Sequence, residues 1–404
     1  AIGVGVAAGA ELLRVRARFA ETLEALGDVA GAVGVWDRLL KDKLATADPA
    51  ADAETWLVGR GRARLRSGAF PDARKDLRDA LAAHPTGKRH LEILRLLAEE
   101  RFAAASGPEG DLAFDEGVAF LTRAIGEHRD DKAAPEVQKT LALAYAGRGR
   151  HQKAAGEWRG LLERFPTHAD APVWRTALAE ALHAAGQFDA AVAEWRSFLS
   201  AYPNDPQWQA VQVRIVTARF EKGGALREQG DVDGAIVAWK GFAEEFPTDG
   251  RAALALVESG LLLAGRKDVD GALALWRGVV GRYAGDGQAP RAWFLVGKTL
   301  EDDLGRLDEA VKEYEALVAK HPGQPAAQEA VARIARLKGK HLEVRGERVI
   351  GAGEPAVLHV VSRNMPTLKV KVYKLGLEDY FRRKHTVGGV ENVQVEIVKP
   401  DLTA

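Results

Sequence analysis

Apolar residues recur along residues 178–203 with the period of a helix. Leu178, Ala181, Leu182 and Ala185 fall at i, i+3, i+4 and i+7, one face of a first helix. Gly186 follows directly, and glycine takes the left-handed conformation that ends a helix at no steric cost. Asp189 stands where a side-chain oxygen is expected to cap a second helix. Ala191, Trp195, Phe198, Leu199 and Tyr202 continue the period, and Pro203 stops it, because its ring cannot extend the hydrogen-bond ladder. The pattern predicts a helical hairpin with small residues at the crossing and a large aromatic wedge.

The same pattern returns along the chain. A large residue stands nine positions after the turn glycine as Trp36, Leu77, Trp158, Trp195, Trp239 and Tyr314. Trp276 fits with Lys267 at the turn, and Phe120 fits loosely after a degenerate turn around Gly110 and Asp111. Eight copies result, spaced 37 to 44 residues apart. An alanine five after the turn residue recurs at Ala32, Ala73, Ala154, Ala191, Ala235, Ala272 and Ala310, and a closing proline at Pro85, Pro166, Pro203, Pro247 and Pro322. The wedges Trp36, Trp158, Trp195, Trp239, Trp276 and Tyr314 are expected to be structural anchors rather than ligand stackers, since they fall at the packing position of their copies.

These residues make residues 1–340 resemble a tetratricopeptide-repeat array of long period, as in bacterial envelope proteins. The resemblance rests on G-x-[FY]-x-x-A across the turn, the closing proline, and small residues midway in the first helix, such as Gly61, Ala63, Ala142 and Ala144. The copies depart from the family pattern late in the second helix, where Leu161, Phe198 and Phe242 replace a small residue. The resemblance implies a mainly α fold, a right-handed α-α superhelix in which neighbouring hairpins bury one another's apolar faces and leave a concave groove for a protein partner. Some arrays of the family grip a C-terminal carboxylate with lysine, asparagine and arginine on first helices. No such set stands here: Lys139 is alone, and the neighbouring copies offer Thr176 and Phe220.

After Lys340 the period shifts to two. Leu342 and Val344, then Leu368, Val370 and Val372, then Val393, Val395 and Ile397 alternate with polar residues, while Val357–Val361 reads as a buried type of strand. Gly351, Gly353-Glu354-Pro355 and Asn364 supply turns. Residues 341–404 therefore predict a short β-sandwich portion, about four strands and incomplete. Gly353-Glu354-Pro355, Ser362-Arg363-Asn364, Val372-Tyr373-Lys374-Leu375, Glu378-Asp379-Tyr380-Phe381 and Pro400-Asp401 resemble the N-terminal macroglobulin domain of bacterial alpha-2-macroglobulin family proteins. That resemblance implies a protease trap, a bait region and, in many members, a Cys-Gln thioester. Neither element is assignable to this chain. Residues 379–383 are expected to be an excursion between strands, with Tyr380 and Phe381 packed inward.

Composition and charge narrow the function. The 404 residues carry 57 basic and 57 acidic side chains, so no whole-chain field draws nucleic acid or an anionic membrane. Cysteine is absent, which removes disulfides, thiolate metal sites and cysteine nucleophiles. No apolar run reaches the roughly 18 residues of a membrane span. The opening AIGVGVAAGA reads as a helix start, with the end of a signal-peptide apolar region as the alternative, and with Met365 as the sole methionine the chain reads as a fragment or processed product.

Candidate chemistry is thin. Gly3-Val4-Gly5 lacks the dinucleotide-binding spacing, and Gly297-Lys298-Thr299 lacks the glycine a phosphate loop needs at 292. The ten histidines include no i, i+4 pair and no metal-ligand spacing with carboxylates. Arg60, Arg62, Arg64 and Arg66 spread around a helix and are expected to be a solvated face rather than a phosphate track. The sequence thus predicts no catalytic, cofactor or metal residue. It predicts a non-enzymatic scaffold with a protein partner in its groove, proteases reached only through domains beyond residue 404, and a periplasmic or secreted setting. The alternative is a stand-alone envelope assembly scaffold; a catalytic domain further along the reading frame is a third.

Overall fold

The computed structural model describes residues 2–41, 49–105, 110–346 and 357–373, together with 378, 381–382 and 402–403. Two compact units divide the chain, Ala1–Pro247 and Thr248–Ala404. The first holds the pairs α1 (Ile2–Ala25) and α2 (Val29–Lys41), α3 (Pro49–Arg66) and α4 (Phe70–Ala83), α5 (His90–Ala104) and α6 (Gly110–Glu127). It continues with α7 (Ala134–Gly147) and α8 (His151–Arg164), α9 (Ala171–Ala184) and α10 (Phe188–Ala201), α11 (Trp208–Glu228) and α12 (Val232–Glu245). The second holds α13 (Ala252–Gly265) and α14 (Val269–Arg282), α15 (Ala289–Asp302) and α16 (Leu307–Lys320), and α17 (Pro325–Lys338). Strands β1 (His341–Gly346), β2 (Leu358–Arg363), β3 (Lys371–Val372) and β4 (Leu402–Thr403) follow. Within each unit every helix packs on the next along the chain, which is the architecture of a tetratricopeptide-type solenoid.

The turn chemistry explains the hairpins. Gly27, Gly68, Gly149, Gly186, Gly230 and Gly305 all have positive φ, between +64° and +86°. After α9, Gly186 N–H donates to His183 O and Gln187 N–H reaches back to Leu182 O, both at 2.9 Å. Such paired bonds satisfy carbonyls the helix end would leave orphaned. Lys267 takes the same conformation, φ +67°, without being glycine.

Capping departs from the expectation. Asp189 lies inside the first turn of α10, behind the cap residue Gln187, and its carboxylate instead meets Arg219 (3.1 Å) and Lys222 (2.7 Å) of α11. Side-chain caps form in other copies, where Asp28 accepts from Gly31 N–H, Asp231 from Gly234 N–H and Asp268 from Gly271 N–H.

In the C-terminal stretch β1 and β2 pair antiparallel, with Leu342 opposite Ser362 and Val344 opposite Val360. Asn364 turns with φ +57°. Its side-chain amide donates to Leu337 O and Gly339 O, tying the end of β2 to the end of α17. Three expectations need correction. The 357–361 run is exposed throughout, with Leu358 at 56 % and Val361 at 55 %, because among the described residues no second layer covers the two-stranded ladder. The third strand shrinks to Lys371–Val372, leaving Leu368 and Val370 outside it. Phe381 is 50 % exposed instead of packed inward. The turns at 351–355, Asp379, Tyr380, Arg383 and the alternation at 393–397 lie outside the described residues.

Candidate functional site

The wedge rings sit inside the stack. Trp36, Trp158, Trp195, Trp239, Trp276 and Tyr314 are each at most 4 % exposed. Each is the eighth residue of the second helix of its hairpin. Opposite them the first helices present small residues. Gly223 lies under Trp239, Gly260 under Trp276 and Gly297 under Tyr314, where a Cβ would stand 2.5 Å from the tyrosine ring. Trp36 reaches across to the next hairpin, with Gly59 beneath it. Four of the ring polar atoms are bonded, while Trp195 Nε1 is buried without a partner. Trp239 Nε1 donates to Phe220 O and Trp276 Nε1 to Val257 O, while Trp36 Nε1 donates to Glu24 and the Tyr314 hydroxyl to Glu301. No face of these rings is left for a ligand to stack on.

Phe120 does not take the wedge position. The eighth residue of α6 is Gly117, and the space is filled from the other side by Phe102 of α5. Phe120 is only half-buried. The loose turn at Gly110 gave a register three residues late, since Gly110 is the first residue of α6 rather than the turn.

The arginine run is also reassigned. Arg60 and Arg64, one turn apart, both reach Asp76 of α4 (2.6 and 2.7 Å) and also Asp37 of α2. On the opposite side of α3, Arg62 pairs with Glu24 (2.9 Å) and Glu92 (2.8 Å), and Arg66 with Glu24 (3.5 Å). Asp76 and Glu24 are buried, and of the four arginines only Arg66 is mostly exposed. Alternation at i, i+2 puts two cation pairs on opposite helix sides, and each side abuts a neighbouring helix that supplies carboxylates. Burial raises no net penalty on the arginines' charge: it acts against Arg60 and Arg62, yet the carboxylates hold both above the ordinary arginine value. These guanidiniums are committed to the fold and not presented to phosphate.

The carboxylate-clamp positions carry no clamp. Lys139 pairs with Glu136 of its own helix (3.1 Å), and Thr176 is buried with its hydroxyl donating to Val173 O. What the first helices do offer is a cleft of about 470 Å³ between α5 and α7, lined by Arg89, Leu91, Glu92, Arg95, Glu136 and Thr140 among others. Its α5 side carries Lys88, Arg89, Glu92 and Arg95 and its α7 side Asp131 and Glu136, so both signs of charge line it.

One cluster escaped the sequence reading. His90, Glu127 and His128 bring their ligand atoms within 4.8 Å of one another. His90 Nδ1 stands 2.7 Å from His128 Nε2 and 3.7 Å from Glu127 Oε2. Burial holds the His90 imidazolium below its ordinary value, Glu127 opposing and His128 and Arg123 adding to the effect. The available signal was the hairpin itself: His90 opens α5 and His128 follows α6, and an antiparallel pair brings the start of one helix beside the end of the other.

Sequence profiles described as tetratricopeptide repeat match residues 18–88, 251–325 and 299–343, and a second such profile matches residues 145–215. No curated protein matches the chain. Among solved structures it is similar to a thermophilic repeat protein of Thermus thermophilus, with 24 % identity over 51 % of this chain and 98 % of that one, at a TM-score of 0.34. It is similar to a tetratricopeptide repeat protein of Parabacteroides merdae at 14 % identity over 70 % and 99 % of the two chains, TM-score 0.32. The C-terminal part of a repeat-containing protein of Cytophaga hutchinsonii matches at 14 % identity over 68 % and 98 %, TM-score 0.37.

Proposed function

The chain belongs to the tetratricopeptide-repeat family, and from that premise we propose that it is a non-catalytic scaffold that docks a protein partner on the face built from the first helices of its hairpins. The observation that carries this reading is the division of labour between side chains. The large rings are spent between helices, while the α5–α7 cleft leaves charged and polar groups facing outward. Stacked hairpins of this kind present long surfaces on which such groups give specificity. Among the described residues no helix is long and apolar enough to cross a membrane.

A photo-crosslinking amino acid tests the docking face. Placed at Thr140, in the cleft, it should capture the partner; placed at Arg159, exposed on α8, it should not. Capture from Arg159 and none from Thr140 would place the partner on the second helices and end the reading.

The finer reading is that this scaffold forms the N-terminal part of a bacterial alpha-2-macroglobulin-like protease trap, secreted or held in the periplasm. It rests on the macroglobulin-like wording from Gly353 to Asp401; the antiparallel β1–β2 pair, two residues beyond the end of α17, is compatible with it. Full-length protein treated with a broad-specificity protease should trap it, blocking large substrates while small ones are still cleaved. An untouched protease, with the protein in the cytoplasmic fraction, would favour a stand-alone scaffold instead.

A further inference from the structure

We propose that His90, Glu127 and His128 form a binding site for one divalent transition-metal ion of the zinc type, which joins the first residue of α5 to the end of α6. The case starts from a position that four first helices fill with alanine. The first residue of α7, α9, α13 and α15 is Ala134, Ala171, Ala252 or Ala289, each buried to 2 % exposure or less. In α5 that small place holds an imidazole, His90, only 3 % exposed. A ring at 128 is ordinary, because the residue capping the end of a second helix is aromatic in the other copies too: His84, Phe165, Tyr202, Phe246, Tyr283 and His321. A ring at 90 is less usual: α11 also starts on one, Trp208, but that ring is only half-buried and its Nε1 donates to Leu199 O, whereas the buried imidazole of His90 meets a second imidazole and a carboxylate.

The hairpin brings these groups together because α5 and α6 run antiparallel, so the start of one lies beside the end of the other. The donors are two imidazole nitrogens and one carboxylate oxygen, a set zinc takes in open sites with water as the fourth ligand. Zinc–ligand bonds of about 2.0–2.1 Å place tetrahedral ligands roughly 3.3 Å apart. The His90 Nδ1 to Glu127 Oε2 distance of 3.7 Å is already near that edge, and the 2.7 Å between the rings must open by about 0.6 Å. Glu127 is oriented from behind, its other oxygen accepting from Arg123 Nε at 2.8 Å, as outer partners orient metal carboxylates. When Nδ1 of His90 ligates, its Nε2, which is buried without a partner, carries the ring proton.

The test titrates zinc chloride into the chelator-stripped chain by calorimetry and repeats the titration with His90→Ala and His128→Phe. Alanine and phenylalanine are the residues other copies use at these places, so both variants keep the fold, which circular dichroism checks. The expected result is one zinc per chain in the parent and at least a tenfold weaker affinity in each variant. Cobalt(II) should give the intense visible absorption of a four-coordinate site in the parent alone. Equal zinc affinity in the parent and His90→Ala would overturn the site. So would no saturable binding in the parent, which would leave the two rings simply sharing a proton.

Discussion

Gly117 of α6 lies directly against the ring of Phe102 of α5: a Cβ at 117 would stand 2.6 Å from Phe102 Cε1. In the hairpins of Leu77, Trp239, Trp276 and Tyr314 the large residue stands on the second helix and the facing glycine on the first. Here the polarity is reversed, with the same volume filled from the opposite side. Close packing demands that the space be filled, and it does not specify from which helix.

That contact is a sensitive one. Gly117→Ala should destabilise the hairpin by about 1–3 kcal/mol through overpacking, despite alanine's better helix propensity. Combining it with Phe102→Leu should recover part of the loss. Urea unfolding followed by circular dichroism checks both; additive losses would mean that the two positions do not share one space.

At the turn before α14, Lys267 holds φ +67° where six other turns use glycine. A left-handed conformation costs a non-glycine residue roughly 1–2 kcal/mol. Lys267→Gly should therefore raise stability by about 1 kcal/mol, and Gly186→Ala should lower it by a similar amount. Thermal melts of the two variants should move in opposite directions.

Asp76 is a shared counter-ion, 2 % exposed and bonded to Arg60 and Arg64 from α3. Its removal leaves two sheltered guanidiniums with only Asp37 to answer them. Asp76→Ala should cost about 3–5 kcal/mol, the usual penalty for uncovering a buried charge. Mutating Arg66, exposed at the rim, should cost less than about 1 kcal/mol. Urea midpoints of the two variants give the comparison; similar losses would argue against a central role for Asp76.

Acid should weaken the second unit through Glu301. Burial alone would raise this carboxyl, but bonds donated by Arg333, Tyr314 and Arg336 outweigh it and hold the group below its ordinary value. A carboxyl that ionises more readily folded than unfolded contributes its full stability above the unfolded value, near about pH 4.3, and loses it as pH falls through the folded one. Glu301→Gln should lower stability at pH 7 by about 3 kcal/mol and flatten this part of the acid limb. Denaturant midpoints measured from pH 7 down to pH 3 would show it. An unchanged slope in the variant would remove Glu301 from the account.

Much of the helical architecture is legible residue by residue, because each hairpin is a local object. Glycine at 149, 186 and 230 ends a helix through its own backbone freedom, and the apolar spacing around Trp158, Trp195 and Trp239 marks the buried face without reference to distant residues. The reading slipped where a local signal was weak. Around Gly110 the turn was misplaced and the wedge read three residues late. At 357–361 an apolar run suggested burial, although burial depends on a second layer that no strand can announce for itself.

Spacing along the chain determined which residues make helices, where those helices turn back, and which rings point inward, since all three follow from periods and backbone preferences within about forty residues. Tertiary structure alone decided which charges met. Arg60 and Arg64 looked like free cations until α2 and α4 supplied Asp37 and Asp76, and His90 looked solitary until α6 brought Glu127 and His128 beside it. Electrostatic partnership depends on distance through space, and a helix that reverses direction makes residues 38 positions apart into neighbours.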